Sequence, residues 1–417
     1  MQAMSDDHPQ DHVPFGSDAN GPMPSGGTGR LLVTMQPGEI TALHDGLREL
    51  AGLRSARSAD FDAAGGATAP AAAIHAWQGS EGDALVFDML GVALVHADAG
   101  RSSALRKAAL STDPRIRSVE PEQYLRALAA GEGTPQPDLQ AMTWGVYLTQ
   151  AWRSPSAGAG IRIAMLDTGF DLGHPDFTGR DITSQSFVPG SPVQDRHGHG
   201  THTTGTACGP RMPAGTARRY GIASDATLLV GKVLNDAGWC EEGWVLAGMD
   251  WALRNRADLI SLSLGWHVSV GEAFKQAFEQ AGQAALDAGC VVIAAAGNDG
   301  NAPVYRPANC PSIFAVGALD NAQQRADFSC LGLNPHGGEV DIAGPGVDVY
   351  STAPMPARYR LMKGTSMATP HVTGCAALWA ENHGVRGREL WKLMRQWAST
   401  LQQAPQSVGV GLVQAPW

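Results

Sequence analysis

No stretch of this 417-residue chain comes near the roughly 18 consecutive apolar residues of a membrane-crossing helix, so no membrane span is expected. Positive charge is scarce: the formal net charge is −10 and charged residues make up 17% of the chain, which argues against nucleic acid as the main ligand. Residues Met1 to Gly29 lack a basic segment followed by an apolar one, so they do not read as a secretory signal. The expected location is therefore cytoplasmic, or one reached by a non-standard export route. The six cysteines (Cys208, Cys240, Cys290, Cys310, Cys330 and Cys375) are far apart and form no C-x-x-C pair. Free or partly buried thiols are expected, with a Cys290–Cys310 bridge left open should the protein be exported. No motif for an organic cofactor is present.

What is abundant is turn-forming residue. The chain carries 51 Gly and 26 Pro beside a 43% hydrophobic share, the mixture of a globular protein with many tight turns. Its length suits one large domain plus a small one. Residues 1–29 are expected as a disordered leader. From Arg30 the pattern turns regular: a strand at Leu31–Met35, a helix over Glu39–Leu53, a strand from Ala84, strand or helix at Val92–His96, a helix at Ser102–Leu110 and a strand at Arg115–Glu120. Residues 58–82, rich in Ala and Gly, are expected as an irregular loop, and 129–139 as a flexible linker.

Beyond residue 140 short apolar runs alternate with helical stretches. The runs are Ile161–Leu166, Ala226–Val230, Leu259–Leu264, Val291–Ala296 and Ile313–Val316; the clearest helices are Gly243–Arg254 and Gly271–Ala288. This predicts an α/β fold, a doubly wound and mostly parallel sheet, preceded by a small α+β domain. Reactive groups in such a fold collect at the carboxyl ends of the strands.

Three words sit at such ends: Ile163-Ala-Met-Leu-Asp167-Thr-Gly169, His199-Gly-Thr-His202 and Gly364-Thr-Ser366-Met-Ala-Thr-Pro370. A serine hydroxyl is a poor nucleophile at neutral pH and needs a base; the base in turn needs a carboxylate to fix its tautomer. Each residue alone has an ordinary structural role, Asp167 as a strand-ending turn residue and Ser366 as part of a glycine turn. His197, His199 and His202 form an H-x-H-x-x-H run, but Thr201 stands where a metallohydrolase pattern would require Asp. Ser366 is not in a G-x-S-x-G setting, which speaks against an α/β-hydrolase elbow.

The order Asp…His…Ser and the words around each residue resemble the subtilisin-like serine proteases, the subtilase family. The resemblance implies a serine endopeptidase with Asp167, His199 and Ser366 as its triad and Asn298, in Ala294-Ala-Ala-Gly-Asn298-Asp-Gly300, as oxyanion donor. It implies substrate-binding edges at Ser263-Leu264-Gly265 and Val233–Trp239, with Ala295 and Gly297 lining the first specificity pocket. Trp266 departs from the small residue usual after that glycine, and Asp299 sits at the expected rim. Residues 30–128 resemble the family's inhibitory propeptide, best over Asp113–Glu122, and 140–417 its catalytic domain. The implied self-processing bond is Leu128–Ala129, with Leu125 three residues upstream of the first pocket residue. A protein or peptide substrate, the chain's own propeptide as inhibitor, and a monomer are expected. No cofactor is required; calcium alone is left open, at Asp176, although the expected partner loop Gly209–Arg219 has no carboxylate or amide side chain. Two alternatives remain: a processing peptidase for one partner protein, and a silent binding protein.

Overall fold

The computed structural model describes residues 23–35, 40–61, 77, 83–111, 115–134 and 141–417. The N-terminal unit is a five-stranded sheet built from β1 (Leu31–Thr34), β2 (Ser55–Arg57), β3 (Ala84–Phe87), β4 (Val92–Val95) and β5 (Ser118–Pro121), in the order β2-β3-β4-β1-β5. All its neighbours are antiparallel except β2 with β3. Two helices, α1 (Ile40–Ala51) and α2 (Ala99–Ala109), cover one face. Alternation along the strands then sorts the side chains. Val33, Val86 and Val95 join Leu43 and Leu47 of α1 and Leu105 of α2 in one core. Leu32, Leu85, Phe87 and Leu94 point the other way, into the core of the large unit. The central strands are therefore buried on both faces, which is why they read as continuous apolar runs.

After β6 (Tyr124–Ala127) and β7 (Gly131–Glu132) the chain passes a short helix, α3 (Trp144–Leu148), into the large unit. Its sheet contains β8 (Arg162–Asp167), β9 (Ile182–Ser186), β10 (Thr227–Lys232), β12 (Leu259–Leu262), β14 (Val291–Ala295), β15 (Phe314–Leu319) and β16 (Ile342–Pro345). They lie in the order β16-β15-β14-β12-β8-β10-β9, and every neighbouring pair is parallel. On one face pack α5 (Glu242–Arg254) and α6 (Gln276–Asp287); on the other pack α4 (His199–Cys208) and α7 (Thr365–His383). Ala164 and Leu166 of β8 enter the first layer, Ile163 and Met165 the second. No helix among the described residues is long and apolar enough to cross a membrane.

Three boundaries differ from the sequence reading. The expected leader is bonded at its end, where the Thr28 hydroxyl donates to Glu122 at 2.5 Å; residues 1–22 lie outside the described ones. Of the expected loop 58–82, Ser58–Phe61 form a 3₁₀ turn tied to Asp250 through the Ser58 hydroxyl at 2.9 Å, and the rest, Trp77 apart, is outside the described residues. The stretch expected as a flexible linker opens with β7 paired to β17 (Tyr359–Lys363), in register Gly131 with Lys363. The glycines that suggested flexibility serve close pairing there. All six cysteines are buried free thiols, so Cys290 and Cys310 are not bridged.

Candidate active site

Strand β8 ends on Asp167, and helix α4 begins on His199. The two meet with His199 Nδ1–H donating to Asp167 Oδ1 at 2.7 Å, in a site where both side chains are buried. Asp167 also accepts from the Thr168 N–H at 2.7 Å and the Thr203 hydroxyl at 3.1 Å, so its carboxylate cannot rotate freely. Beneath lies Asp195, buried and unremarked in the sequence reading. It accepts from five donors: the N–H groups of His197, Gly198 and Thr201 and the hydroxyls of Thr201 and Thr168, all within 3.0 Å. Thr168 Oγ1 in turn accepts the Gly200 N–H at 2.8 Å, which ties the end of β8 to the first turn of α4. Lys232, also fully buried, donates to the Thr168 carbonyl and, at 2.7 Å, to Asp236. The only sequence signal for Asp195 was its place four residues before His199, just ahead of a helix start.

The neighbouring histidines do not form a metal site. His202 Nε2–H donates to the Val349 carbonyl at 3.0 Å. Burial, followed by the nearness of His199, pushes the pKa of both His197 and His202 down to about 3, so they are neutral at pH 7. Among the described residues no group of three or more His, Cys, Asp or Glu is placed to hold a metal ion. Asp176 does not fit the calcium ligand that the resemblance left open. Its two oxygens accept from the hydroxyls of Tyr220 at 2.6 Å and Tyr359 at 2.8 Å and from the Ala214 N–H at 3.0 Å, with the Arg358 guanidinium 3.7 Å away. Hydrogen-bond donors and a cation stand where a cation would need acceptors.

Ser366 is the second residue of α7, fully buried. Its hydroxyl donates to the Ser263 carbonyl at 3.0 Å, and the Ser263 hydroxyl donates back to the Ser366 carbonyl at 2.9 Å. His199 Nε2 is buried and without a hydrogen-bond partner. Ser366 and His199 are both fully buried and are not hydrogen-bonded to each other, a looseness common before reactants are fully engaged.

Asn298 follows β14. Its Oδ1 accepts from both the N–H and the hydroxyl of Thr365 at 2.9 Å, which turns its Nδ2 toward the cleft. There Nδ2 donates to the Leu128 carbonyl at 2.5 Å. Leu128 arrives on β6, which lies antiparallel between β11 (Trp239–Glu241) and β13 (Leu264–Gly265). Arg126 faces Gly265 in that register, and the Leu128 N–H donates to the Ser263 carbonyl at 3.2 Å. The facing edge is Gly238–Glu241, not all of 233–239: Asn235 Oδ1 accepts from Ala237 and Trp239 N–H and folds the preceding residues into a turn. Ala295 touches the Leu128 side chain in one apolar cluster, whereas Asp299 is exposed at its rim. Past Leu128 the chain continues over Gly364, whose missing Cβ would lie 2.7 Å from the Leu128 carbonyl oxygen. The Ala130 N–H then donates to Lys363 at 2.7 Å. The Leu128–Ala129 peptide bond is thereby held in extended chain on both sides.

Comparison with known proteins shows the family. The family model described as Subtilase family matches residues 158–411. Subtilisin NAT of Bacillus subtilis subsp. natto is 36% identical over 283 residues, covering 66% of this chain and 68% of its own. Subtilisin of Bacillus pumilus is 39% identical over 232 residues, covering 54% and 78% respectively. An alkaline protease of Shouchella clausii is 37% identical over 277 residues, 65% of each chain. A parallel sheet with an Asp–His pair and a serine-headed helix at its strand ends, matched to these relatives over most of its length, makes this chain a member of the subtilase family, a subtilisin-like serine endopeptidase acting on protein substrates.

Proposed function

We propose that the protein is made as a zymogen whose residues 30–128 are an inhibitory propeptide, and that it cuts its own Leu128–Ala129 bond. In this reading the Ser366 hydroxyl turns from Ser263 to His199 Nε2, gives up its proton there, and Oγ attacks the Leu128 carbonyl carbon. Asp167 holds the imidazole by Nδ1 and steadies its positive charge. The Asn298 amide, with the Ser366 N–H at the start of α7, stabilises the oxyanion. His199 then protonates the departing Ala129 nitrogen, leaving Leu128 esterified to Ser366, and activates the water that hydrolyses the ester. The released tail keeps its pairing with β11 and β13, which accounts for inhibition after cleavage.

The observation that carries this reading is the hydrogen bond from Asn298 Nδ2 to the Leu128 carbonyl, the atom whose charge must be stabilised. Docking of the N-terminal unit supports it further. Glu120 accepts from the Gln276 and Ala277 N–H groups at 3.1 Å, and Glu122 from Gly243 at 2.8 Å, so two carboxylates meet the positive ends of α6 and α5. N-terminal sequencing of purified protein tests the proposal. The matured wild type should begin at Ala129 and Ser366→Ala should stay uncut; a distant start, or the same start in both proteins, overturns it.

A further inference from the structure

The Leu128 side chain is only 2% exposed and sits in a small cluster of its own with Ala295, Tyr305 and Cys330, Ala302 packing against it. Two of the walls are bare backbone. A Cβ on Gly265 would lie 3.2 Å from Leu128 Cδ1, and one on Gly297 would lie 2.6 Å from the Tyr305 ring and 2.9 Å from the Cys330 sulfur. Glycine walls of this kind open a slot broad enough for an aromatic ring. Here the slot is already filled, because the ring that lies on Gly297 belongs to the protein.

Resting on the peptidase reading above, we propose that Tyr305 sets the size limit of the first specificity pocket, so that the enzyme cuts after leucine-sized aliphatic residues and discriminates against aromatic ones. The ring is not free to swing aside. The Tyr305 N–H donates to the Ala296 carbonyl at 2.8 Å, and the next residue, Arg306, exchanges backbone hydrogen bonds with Trp266 at 3.0 and 3.1 Å. The Tyr305 side chain is itself buried, and the edge of His267 closes from the side with ring centroids 6.4 Å apart. Cys330 is pinned as well: its N–H donates to the Gly297 carbonyl at 3.1 Å, and its sulfur accepts the Asp299 N–H at 3.4 Å. Pressing a larger side chain into a pocket with fixed walls is overpacking, which forces neighbours off their rotamers.

Two measurements test this, one of which needs no catalysis. In the full chain carrying Ser366→Ala, Leu128→Phe should lower the unfolding temperature by a few degrees while Tyr305 is present. Combined with Tyr305→Ala, or with Tyr305→Leu should the alanine variant not fold, Leu128→Phe should cost nothing further. In the matured enzyme, kcat/KM on peptides differing only at the residue before the cut should favour Leu over Phe by about tenfold or more. Either Tyr305 variant should erase or reverse that ratio. Equal cost of Leu128→Phe with and without Tyr305, or a wild-type preference for Phe, overturns the proposal. An intact coupling in a protein that cleaves no peptide would refute the peptidase reading and leave the pocket assignment standing.

Discussion

Asn298 holds the carbonyl of Leu128 at 2.5 Å while Thr365 grips the other end of the same amide with two hydrogen bonds at 2.9 Å. The donor is thus aimed before any charge develops. Asn298→Ala is expected to lower kcat by roughly 100–1,000-fold with little change in KM, a magnitude set by the loss of such a donor in a subtilisin. Thr365→Val keeps one of the two orienting bonds and should cost about tenfold or less. Steady-state kinetics on a peptide substrate separate the two.

Ser366→Ala and His199→Ala should each remove nearly all turnover, and the double variant should be hardly worse than either, because the two groups act as one unit. Active-site titration with a serine-directed phosphonyl fluoride, followed by peptide mapping, checks that the label sits on Ser366.

The pH dependence of stability follows from the buried histidines. Burial lowers the His371 pKa to about 4, and His197 and His202 fall to about 3. Between these values and about 6.5 the unfolded chain binds protons that the folded one does not. Stability from these groups is therefore present at pH 7 and is lost as pH falls from about 6.5 toward 4. His371→Asn, which retains a donor for the Met367 carbonyl now bonded at 2.8 Å, should flatten that slope. Unfolding temperatures of the uncut Ser366→Ala protein and the added variant, measured from pH 7.5 to 4.5, provide the comparison.

At Asp176 hydrogen-bond donors occupy both carboxylate oxygens. Tyr220→Phe removes the bond at 2.6 Å and should destabilise by about 0.5–1.5 kcal/mol, since the oxygen loses one of its two hydroxyl donors and keeps that of Tyr359 at 2.8 Å. Chelator should leave the unfolding temperature of the wild type unchanged. A marked drop on chelation would mean that a cation holds this corner after all.

Trp266, which stands where the resemblance led us to expect a small residue, lies 5.2 Å from the guanidinium carbon of Arg126. Arg126 is two residues before Leu128, the third residue ahead of the proposed cut. A partly exposed cation–π contact is worth about 0.5–1 kcal/mol, so Trp266→Ala should reduce the preference for Arg over Gln at that substrate position by roughly 2–5-fold. Paired peptides differing at that residue alone give the ratio.

Much of this was legible because the sequence states it locally. Asp167, His199, Asn298 and Ser366 each stand in a short word at a strand end or helix start, and the continuous apolar runs of β8 and β14 announce a sheet covered on both faces. What was not legible depends on residues that meet only after folding. Tyr305 and Cys330 are 25 positions apart yet close one wall, and Tyr220 and Tyr359 converge on Asp176 from distant parts of the chain. The pairing of Gly131 with Lys363 was hidden for another reason: glycine and proline suggest looseness unless a strand edge is there to receive them.

For the proposed self-cleavage that pairing has a kinetic consequence. With Leu128 esterified to Ser366, the new amine at Ala129 would not be released into solvent. The Ala130 N–H bond to Lys363 at 2.7 Å and the strand at Gly131–Glu132 would keep it aligned beside the ester it had just left. Amide re-formation would then compete with hydrolysis until two residues of strand peel away. Under that proposal the first turnover of each molecule would be governed by a short unzipping event, and a chain could be cut and resealed many times before it commits to maturation.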